Sequence, residues 1–280
     1  MHTFIELLKA LLFGIVEGIT EWLPVSSTGH LILLQEFVNF DGVSEGFWEM
    51  FEVVVQLGAI LAVIVLFWSK IWPFSAKKVN GKRTVIKKNS LLLWAKVIIA
   101  CLPAAVVGLL FDDIINELFY NPMTVGIMLA LVGIAFIVIE RLNRSKAPKT
   151  ESLEDITFSQ ALIIGIFQLV SAVFPGTSRS GSTILGGLML GISRTAAAEF
   201  TFILGIPVMF GASLLKIVKF GFAFTSLELA VLAAGTVTAF LVSLAVIRFL
   251  MDFVRRHSFN VFGWYRIALG AVVIVYFIIK

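Results

Sequence analysis

Six stretches of about twenty apolar residues each dominate the sequence and limit what the chain can fold into. They cover residues 51–68, 91–111, 122–140, 200–218, 227–250 and 259–279. A helix needs roughly 20 predominantly apolar residues to cross the hydrocarbon core of a bilayer. The pattern therefore predicts an all-α integral membrane protein with six clean transmembrane helices.

Composition excludes the other broad classes of protein. Of the 280 residues, 59% are hydrophobic and only 14% are charged, whereas soluble domains carry about 25% charged residues. So few charges cannot cover a water-soluble fold, and they also exclude a disordered chain or a nucleic-acid binder. The single cysteine, Cys101, allows no internal disulfide. We expect no cleavable signal peptide, because charged residues interrupt the apolar N-terminal run.

Two further apolar regions, 4–38 and 156–192, are interrupted by residues that end helices. The first contains PVSSTG at 24–29 and the second contains PGTSRSG at 175–181. Proline removes a backbone donor, and glycine with serine favours turns. Non-helical backbone at membrane depth needs protein or a water-filled cavity around it. We interpret both regions as helical hairpins that enter and leave from one side, with two ordinary kinked spans as the alternative.

The basic residues indicate an orientation. If both hairpins return to their own side, fifteen of the 22 lysines and arginines fall on one side of the membrane. These are Lys70, Lys77, Lys78, Lys82, Arg83, Lys87, Lys88, Arg141, Arg144, Lys146, Lys149, Arg194, Arg248, Arg255 and Arg256. Such an excess marks the cytoplasmic side. Both termini and the base of the first hairpin are then outside, and the base of the second hairpin is inside.

The two interrupted regions also align with each other, without a gap, at an offset of 151 residues. The matched pairs include Gly14 with Gly165, Pro24 with Pro175, and Ser27 with Ser178. We predict two inverted repeats in one membrane domain, residues 1–150 and 151–280, each with one hairpin and three spans. Three spans is an odd number, so the halves have opposite orientations. Repeats of this kind place their site near the membrane midplane.

The two breaks differ in the residues that carry chemistry. The first contains Glu17 and Glu21, four apart on one helical face, and His30 at the start of the next helix. The second places Arg179 among serine and threonine hydroxyls. Ionisable side chains at membrane depth are costly, so we interpret them as functional. A purely structural ion pair between a glutamate and Arg179 is the alternative, but it leaves Ser27 and the hydroxyls unexplained.

A hydroxyl-rich turn with Arg179 at a helix start has the features of a phosphate site. The helix start offers unpaired N–H groups, and the guanidinium binds phosphate oxygens in pairs. Carboxylates opposite can hold a divalent cation or act as a general base. Ser27 is the natural nucleophile if a carboxylate or His30 takes its proton. A phosphate ligand inside a bilayer implies a phosphate-bearing lipid, although a secondary transporter or lipid flippase is a competing class.

Both breaks resemble the signature motifs of the undecaprenyl-diphosphatase (bacitracin-resistance) family. EGITEWLPVSSTGH at 17–30 is similar to its E-x-x-x-E element with the following SSTGH, and PGTSRSGST at 175–183 is similar to its PG-x-SRS-x-x-T element. The resemblance implies removal of the terminal phosphate of the lipid undecaprenyl diphosphate in the bacterial plasma membrane. It also implies stimulation by a divalent cation, Mg²⁺ or Ca²⁺, and a site that faces outward. The oligomeric state stays open, a homodimer included.

The resemblance also assigns individual residues. Glu17 and Glu21 match the acidic pair proposed for metal binding or water activation. Ser27 matches the proposed nucleophile, and His30, which has also been given a catalytic role in the family, is the alternative. The residues expected to bind the diphosphate are Ser178, Arg179 and Thr183, with the hydroxyls of Ser26 and Ser180 as further donors.

Two residues outside this set have simpler interpretations. Trp22, beside the first break, is expected either to line the groove for the prenyl chain or to lie at the membrane interface. Arg266 is expected to lie near the end of the last span and to extend its guanidinium to the interface.

Cysteine labelling tests the orientation. Cysteines introduced by Lys82→Cys and Ser145→Cys are expected to react with a membrane-impermeant reagent from the cytoplasmic side, and one introduced by Asp113→Cys from outside, since positive charge marks the cytoplasm. Labelling of positions 82 and 145 from opposite sides would contradict the three-span repeat and the inverted symmetry.

Overall fold

The chain folds almost entirely into helices in a computed structural model that describes residues 1–74, 78–79, 82–83 and 86–280. Within these residues, six helical segments are long and apolar enough to cross a membrane. They are Phe47–Ile71, Lys88–Phe111, Pro122–Asn143, Arg194–Phe220, Ser226–Val254 and Asn260–Ile279. The six predicted spans are confirmed, and the chain is a multi-pass membrane protein.

Twelve helices are described in chain order. The first seven are α1 (His2–Thr20), α2 (Ser27–Gln35), α3 (Phe47–Val54), α4 (Gln56–Leu66), α5 (Trp68–Ile71), α6 (Lys88–Phe119) and α7 (Pro122–Asn143). The remaining five are α8 (Phe158–Val173), α9 (Arg179–Met189), α10 (Arg194–Phe220), α11 (Ser226–Val254) and α12 (Asn260–Ile279). The first predicted span is thus divided among α3, α4 and α5.

Apart from the helices that follow the two breaks, four helices begin at a side chain that caps their free backbone N–H groups. In each case the capping oxygen accepts a hydrogen bond from the backbone N–H three residues further on. The capping residues are Asn121 before α7, Thr157 before α8, Ser193 before α10 and Thr225 before α11. A cap of this type is worth about 1 kcal/mol of helix stability. Local sequence therefore sets the start of α8 and of three spans.

Both interrupted regions form a helix, a short non-helical connection and a second helix, as the sequence predicts. Residues 21–26 connect α1 to α2, and residues 174–178 connect α8 to α9. α1 packs along α11 and α8 packs along α6, while the short helices α2 and α9 both contact α7. This shared neighbour brings the two connections together inside the protein.

A pair of two-residue strands forms the one sheet in the described chain. β1 (Lys78–Val79) and β2 (Lys82–Arg83) are antiparallel, with Lys78 opposite Arg83. They belong to the loop 70–88 that the sequence places in the cytoplasm. Lys77 lies outside the described residues, as do the side chains of both strands and of Asp113.

Glycines allow α1 and α8 to approach their neighbouring helices closely. A Cβ atom on Gly14 would lie 2.5 Å from the carbonyl oxygen of Gly235 in α11. A Cβ atom on Gly165 would lie 2.4 Å from the carbonyl oxygen of Ala100 in α6. Small residues at such crossings permit backbone-to-backbone packing between membrane helices. The two glycines that match in the sequence therefore serve the same purpose in the structure.

Replacing Gly165 tests this packing. Gly165→Ala is expected to lower the free energy of unfolding by about 1–3 kcal/mol, because the added methyl group overpacks the α6–α8 contact. Gly108→Ala is the matched control, since no described atom lies within 4 Å of the Cβ position at Gly108. Thermal unfolding in detergent measures both variants. Equal melting temperatures for the two variants would contradict the close approach.

Candidate functional site

The carboxylate of Glu21 joins the two breaks. Its Oε2 accepts a hydrogen bond from the Ser27 hydroxyl at 3.0 Å, and its Oε1 accepts one from the Arg179 guanidinium, also at 3.0 Å. Glu21 is 7% exposed and the Arg179 side chain is 11% exposed, so water screens the ion pair little. The structure therefore brings together a carboxylate, a hydroxyl and a guanidinium that the sequence predicts to share one site.

The helix after each break begins in the same strained way. Ser26 precedes α2 with a φ of 73°, and Ser178 precedes α9 with a φ of 68°. They are the only non-glycine residues with positive φ in the described chain. Each hydroxyl accepts a hydrogen bond from the backbone N–H three residues further on, of Gly29 and of Gly181. Such a conformation costs about 1–3 kcal/mol, so its repetition identifies Ser26 and Ser178 as equivalent positions.

This equivalence corrects the gapless alignment, which matches Ser27 with Ser178. The second break has one residue more between its proline and its capping serine, and Gly176 accommodates the longer turn with a φ of 86°. Beyond the prolines the offset is therefore 152, and Ser27 corresponds to Arg179. The hydroxyl and the guanidinium on either side of Glu21 thus occupy the same position, the first residue of a helix.

A cavity of about 210 Å³ lies beside this cluster. The breaks contribute its reactive wall, and α4, α6, α8 and α10 contribute the rest. The lining residues include Glu21, Ser27, Thr28, Gln56, Ala104, Gln168, Ser178, Arg179 and Met209. α2 and α9 both begin at this wall, and the free N–H groups and positive dipole ends of helix starts favour an anion. The cavity is therefore suited to a phosphate group.

Arg179 is held in place by two further contacts. It donates a hydrogen bond to the carbonyl oxygen of Thr201 at 2.8 Å, and its guanidinium lies 5.5 Å from the centre of the Trp22 ring. The Trp22 side chain is fully buried and packs edge-on against Phe202. Both expectations for Trp22 are therefore wrong, because the indole supports the arginine instead of facing lipid or the interface.

Glu17 lies one turn before Glu21 and is fully buried. Within the described chain, neither of its carboxylate oxygens has a hydrogen-bond partner, and no three His, Cys, Asp or Glu side chains are grouped to hold a metal ion. Mg²⁺ is often held by only one or two carboxylates together with substrate phosphates. Glu17 and Glu21 therefore fit a cation that is bound jointly with a phosphate ligand.

His30 faces away from the cavity. One ring nitrogen lies 2.7 Å from the carbonyl oxygen of Ser26, and the other lies 2.7 Å from the hydroxyl of Tyr265 in α12. The two rings are stacked, with 8° between their planes. His30 is not among the described residues that line the cavity. The structure thus brings Ser27, and not His30, to the cluster around Glu21.

Three of the predicted phosphate ligands lie behind the cavity wall. The Ser180 hydroxyl donates to the carbonyl oxygen of Glu21 at 3.1 Å, and the Thr183 hydroxyl donates to that of Arg179 at 2.8 Å. Ser26, Ser180 and Thr183 are all at most 1% exposed. The Ser180 hydroxyl ties the second break to the first, whereas those of Ser26 and Thr183 bond to backbone next to their own break. Direct contact with a diphosphate remains a prediction for all three. Ser178, by contrast, lines the cavity.

Arg266 holds both breaks and was missed as a functional residue. From α12, its guanidinium donates to the carbonyl oxygen of Pro24 at 3.1 Å and to those of Gly176 and Thr177 at 2.9 and 2.8 Å. The side chain is fully buried, so the expectation that it extends to the interface is wrong. The carbonyls of two non-helical connections attract it inward. A buried arginine in a span is itself a signal of function.

Known proteins are similar to this chain over nearly all of its length. The family described as bacitracin resistance protein BacA matches residues 10–272. An undecaprenyl-diphosphatase from Desulfitobacterium hafniense is 56% identical over 273 residues, which cover 98% of this chain and 96% of the relative. Undecaprenyl-diphosphatase 1 from Clostridium acetobutylicum is 56% identical over 275 residues, 98% of each chain. An undecaprenyl-diphosphatase from Enterococcus faecalis is 54% identical over 272 residues, 97% of each.

Arg266→Lys tests whether this residue clamps the two breaks. Lysine keeps the charge but cannot reach carbonyls of both breaks with one ammonium group, and each lost bond to a charged donor costs about 1.5–3 kcal/mol. We expect a clear fall in melting temperature. Arg255→Lys is the control, because the Arg255 side chain is 61% exposed and its partner Asp252 is 79% exposed. An unchanged melting temperature for Arg266→Lys would show that the clamp does not stabilise the fold.

Proposed function

Since this chain belongs to the BacA family of bacitracin resistance proteins, we propose that the Glu21, Ser27 and Arg179 cluster is its catalytic centre. The chain is a hydrolase that removes the terminal phosphate of undecaprenyl diphosphate and releases undecaprenyl phosphate, the lipid carrier of bacterial wall synthesis. The function of the relatives favours the hydrolase over a transporter or flippase. The observation that supports this location is the Ser27 hydroxyl bonded to a carboxylate beside an arginine.

Ser27 acts as the nucleophile in this proposal. Its proton passes to Oε2 of Glu21 while its Oγ forms a bond to the terminal phosphorus and the bond from that phosphorus to the bridging oxygen breaks. The leaving undecaprenyl phosphate takes the proton from Glu21. Water then attacks the phosphorus of the phosphoserine, which releases inorganic phosphate and restores the Ser27 hydroxyl. Each turnover consumes one water molecule.

Arg179 binds the phosphate that Ser27 attacks. A guanidinium presents two parallel N–H groups to a pair of phosphate oxygens, and it neutralises charge that develops on them in the transition state. One of its nitrogens is paired with Glu21 in the structure. The incoming phosphate takes over this guanidinium, which leaves the carboxylate with Ser27 as its hydrogen-bond donor. Ser178, on the same wall of the cavity, supplies a further hydroxyl.

The other predicted residues support this centre. His30 positions the start of α2, because its ring contacts the Ser26 carbonyl and Tyr265 and lies away from the cavity. Ser26, Ser180 and Thr183 fix the backbone of the breaks through the hydrogen bonds that bury their hydroxyls. A diphosphate that enters deeper than the described cavity would still meet these hydroxyls.

Glu17 and Glu21 would hold the divalent cation, Mg²⁺ or Ca²⁺, together with oxygens of the diphosphate. When bound, such a cation neutralises phosphate charge and polarises the phosphorus for attack. Glu17 supplies two carboxylate oxygens that have no partner in the described chain. Glu21 then has a dual task, since one of its oxygens also accepts the hydrogen bond from Ser27.

The architecture around the centre is proposed to be an inverted repeat. The two helix–break–helix regions are re-entrant hairpins that enter from opposite faces of the plasma membrane. The matched geometry at Ser26 and Ser178 and the matched glycine contacts in α1 and α8 support this arrangement. The excess of lysine and arginine in the other connections places both termini and the opening of the site outside. A homodimer remains a prediction.

The lipid chain stays outside the cavity. A volume of about 210 Å³ admits a head group, whereas clefts that enclose a whole drug-sized ligand measure about 300–1,000 Å³. The 55-carbon chain therefore remains among the membrane lipids while the diphosphate reaches the breaks. This division agrees with a polar wall at the breaks and an apolar exterior on the spans.

Ser27→Ala, Glu21→Gln and the double variant test the proposed mechanism. We expect all three to retain similarly small rates of phosphate release from a C15 or C55 prenyl diphosphate, because a nucleophile and its base act as one unit. His30→Ala is the comparison and is expected to retain more activity than Ser27→Ala. Phosphate release by purified protein in the presence of Mg²⁺ or Ca²⁺ is the measurement.

One set of results would contradict the proposed mechanism. Normal turnover by Ser27→Ala together with an inactive His30→Ala, or a phosphohistidine trapped at position 30, would rule out Ser27 as the nucleophile. The hydrolase function of the chain would stand, because it does not depend on which residue attacks.

A further inference from the structure

Gln168 carries two polar atoms that the fold does not use. It lies on α8, is 1% exposed, and lines the cavity beside Arg179. Neither its Oε1 nor its Nε2 has a hydrogen-bond partner in the part of the chain that the structure describes. Burying an unsatisfied amide costs about 1–3 kcal/mol. A side chain kept in this state at the wall of a binding cavity points to a ligand that completes its hydrogen bonds.

A second glutamine on the same helix, Gln160, has a structural role and serves as a comparison. Oε1 of Gln160 accepts a hydrogen bond from the backbone N–H of Thr157 at 2.9 Å, and its Nε2 donates to the hydroxyl of Thr150 at 3.0 Å. Gln160 thus caps α8 and uses both ends of its amide. Gln168, two turns further along α8, uses neither end, so capping and packing do not explain it.

The groups around Gln168 leave a need for further donors in the cavity. One guanidinium nitrogen of Arg179 donates to the Thr201 carbonyl, a second donates to Glu21 and passes to the phosphate in the proposed mechanism, and Nε has no partner in the described chain. The hydroxyl of Ser171 donates to the backbone carbonyl of Gln168 at 2.7 Å, so its proton is already used in a hydrogen bond. A diphosphate carries more acceptor oxygens than one guanidinium can satisfy. The Nε2 group of Gln168 offers two N–H donors that nothing else in the described chain uses.

We infer that Gln168 is a substrate-binding residue whose Nε2 donates a hydrogen bond to a non-bridging oxygen of the diphosphate. This inference rests on the proposed location of the active site. The cavity then offers the phosphate two kinds of contact, a charged one from the Arg179 guanidinium and a neutral one from the Gln168 carboxamide.

The contrast with Glu17 supports a neutral group at this position. Before the prolines the two halves align at an offset of 151, so Gln168 corresponds to Glu17. A carboxylate on the wall with Arg179 would repel a diphosphate and compete with it for the guanidinium. An amide of the same length donates hydrogen bonds without adding negative charge. The amide of Gln168 thus lies on the cavity wall, whereas the fully buried Glu17 is not among the described residues that line the cavity.

The test measures affinity and stability together. The probe is farnesyl methylenediphosphonate, a prenyl diphosphate analogue that cannot be hydrolysed, and its affinity is measured by calorimetry with the intact protein in detergent. Gln168→Leu keeps the size of the side chain and removes its polar atoms. We expect affinity to fall about ten- to hundredfold, as for a lost hydrogen bond to a charged acceptor. KM should rise by a similar factor with kcat changed less.

The melting temperature distinguishes binding from a structural contribution. Removing an unsatisfied buried amide removes its desolvation cost, so Gln168→Leu is expected to melt at the wild-type temperature or above it. Gln160→Leu is the matched control on the same helix. It should lower the melting temperature through loss of the α8 cap and leave the affinity of the folded protein unchanged.

Two results would overturn the inference. Wild-type affinity in Gln168→Leu would show that the amide does not contact the diphosphate, and a lower melting temperature with unchanged affinity would make Gln168 structural. If Gln168→Leu does not fold, Gln168→Glu is measured, and wild-type affinity there has the same meaning, since a carboxylate must repel the probe. Normal turnover by Ser27→Ala would instead contradict the proposed active site, so the two failures are distinguishable.

Discussion

The buried ion pair between Glu21 and Arg179 is the contact on which the site depends. It links two regions that lie about 150 residues apart, and it also fixes the Ser27 hydroxyl on the same carboxylate. Each of these buried charges is compensated by the other, because breaking such a pair leaves an uncompensated charge. A phosphate satisfies this requirement when it replaces Glu21 at the guanidinium. In the proposed function, substrate binding would exchange one anion for another at Arg179, and the divalent cation held by Glu17 and Glu21 would compensate the carboxylate that is released.

Backbone geometry makes this pair possible. The positive φ values of Ser26 and Ser178 turn the chain sharply, so that α2 and α9 both start at the cavity. Strain of this kind persists only where the surroundings over-determine it. Arg266 supplies part of that constraint, since it binds carbonyls of both connections from a third helix. The hydroxyls of Ser180 and Thr183 supply another part from within the second break.

Some of these features could be predicted from the sequence and others could not. Twenty-residue apolar runs and helix-breaking prolines are local signals, so the spans and both breaks were predicted, as was a site uniting Glu21, Ser27 and Arg179. The one-residue error in the alignment arose because φ is not visible in a run of serines. Arg266 and Trp22 were misread because their partners, carbonyls and a guanidinium, come from distant segments that only the folded chain brings close.

The small cavity has a consequence for substrate selection. In the proposed function only the diphosphate of the lipid enters the cavity of about 210 Å³, so the protein would recognise its substrate by the head group while the isoprenoid chain stays in the bilayer. Discrimination between isoprenoid lengths would then arise from partitioning, because a longer chain raises the local concentration of the lipid in the membrane without adding contacts at the cavity. The lipid bilayer around such an enzyme would therefore determine part of its selectivity for substrates.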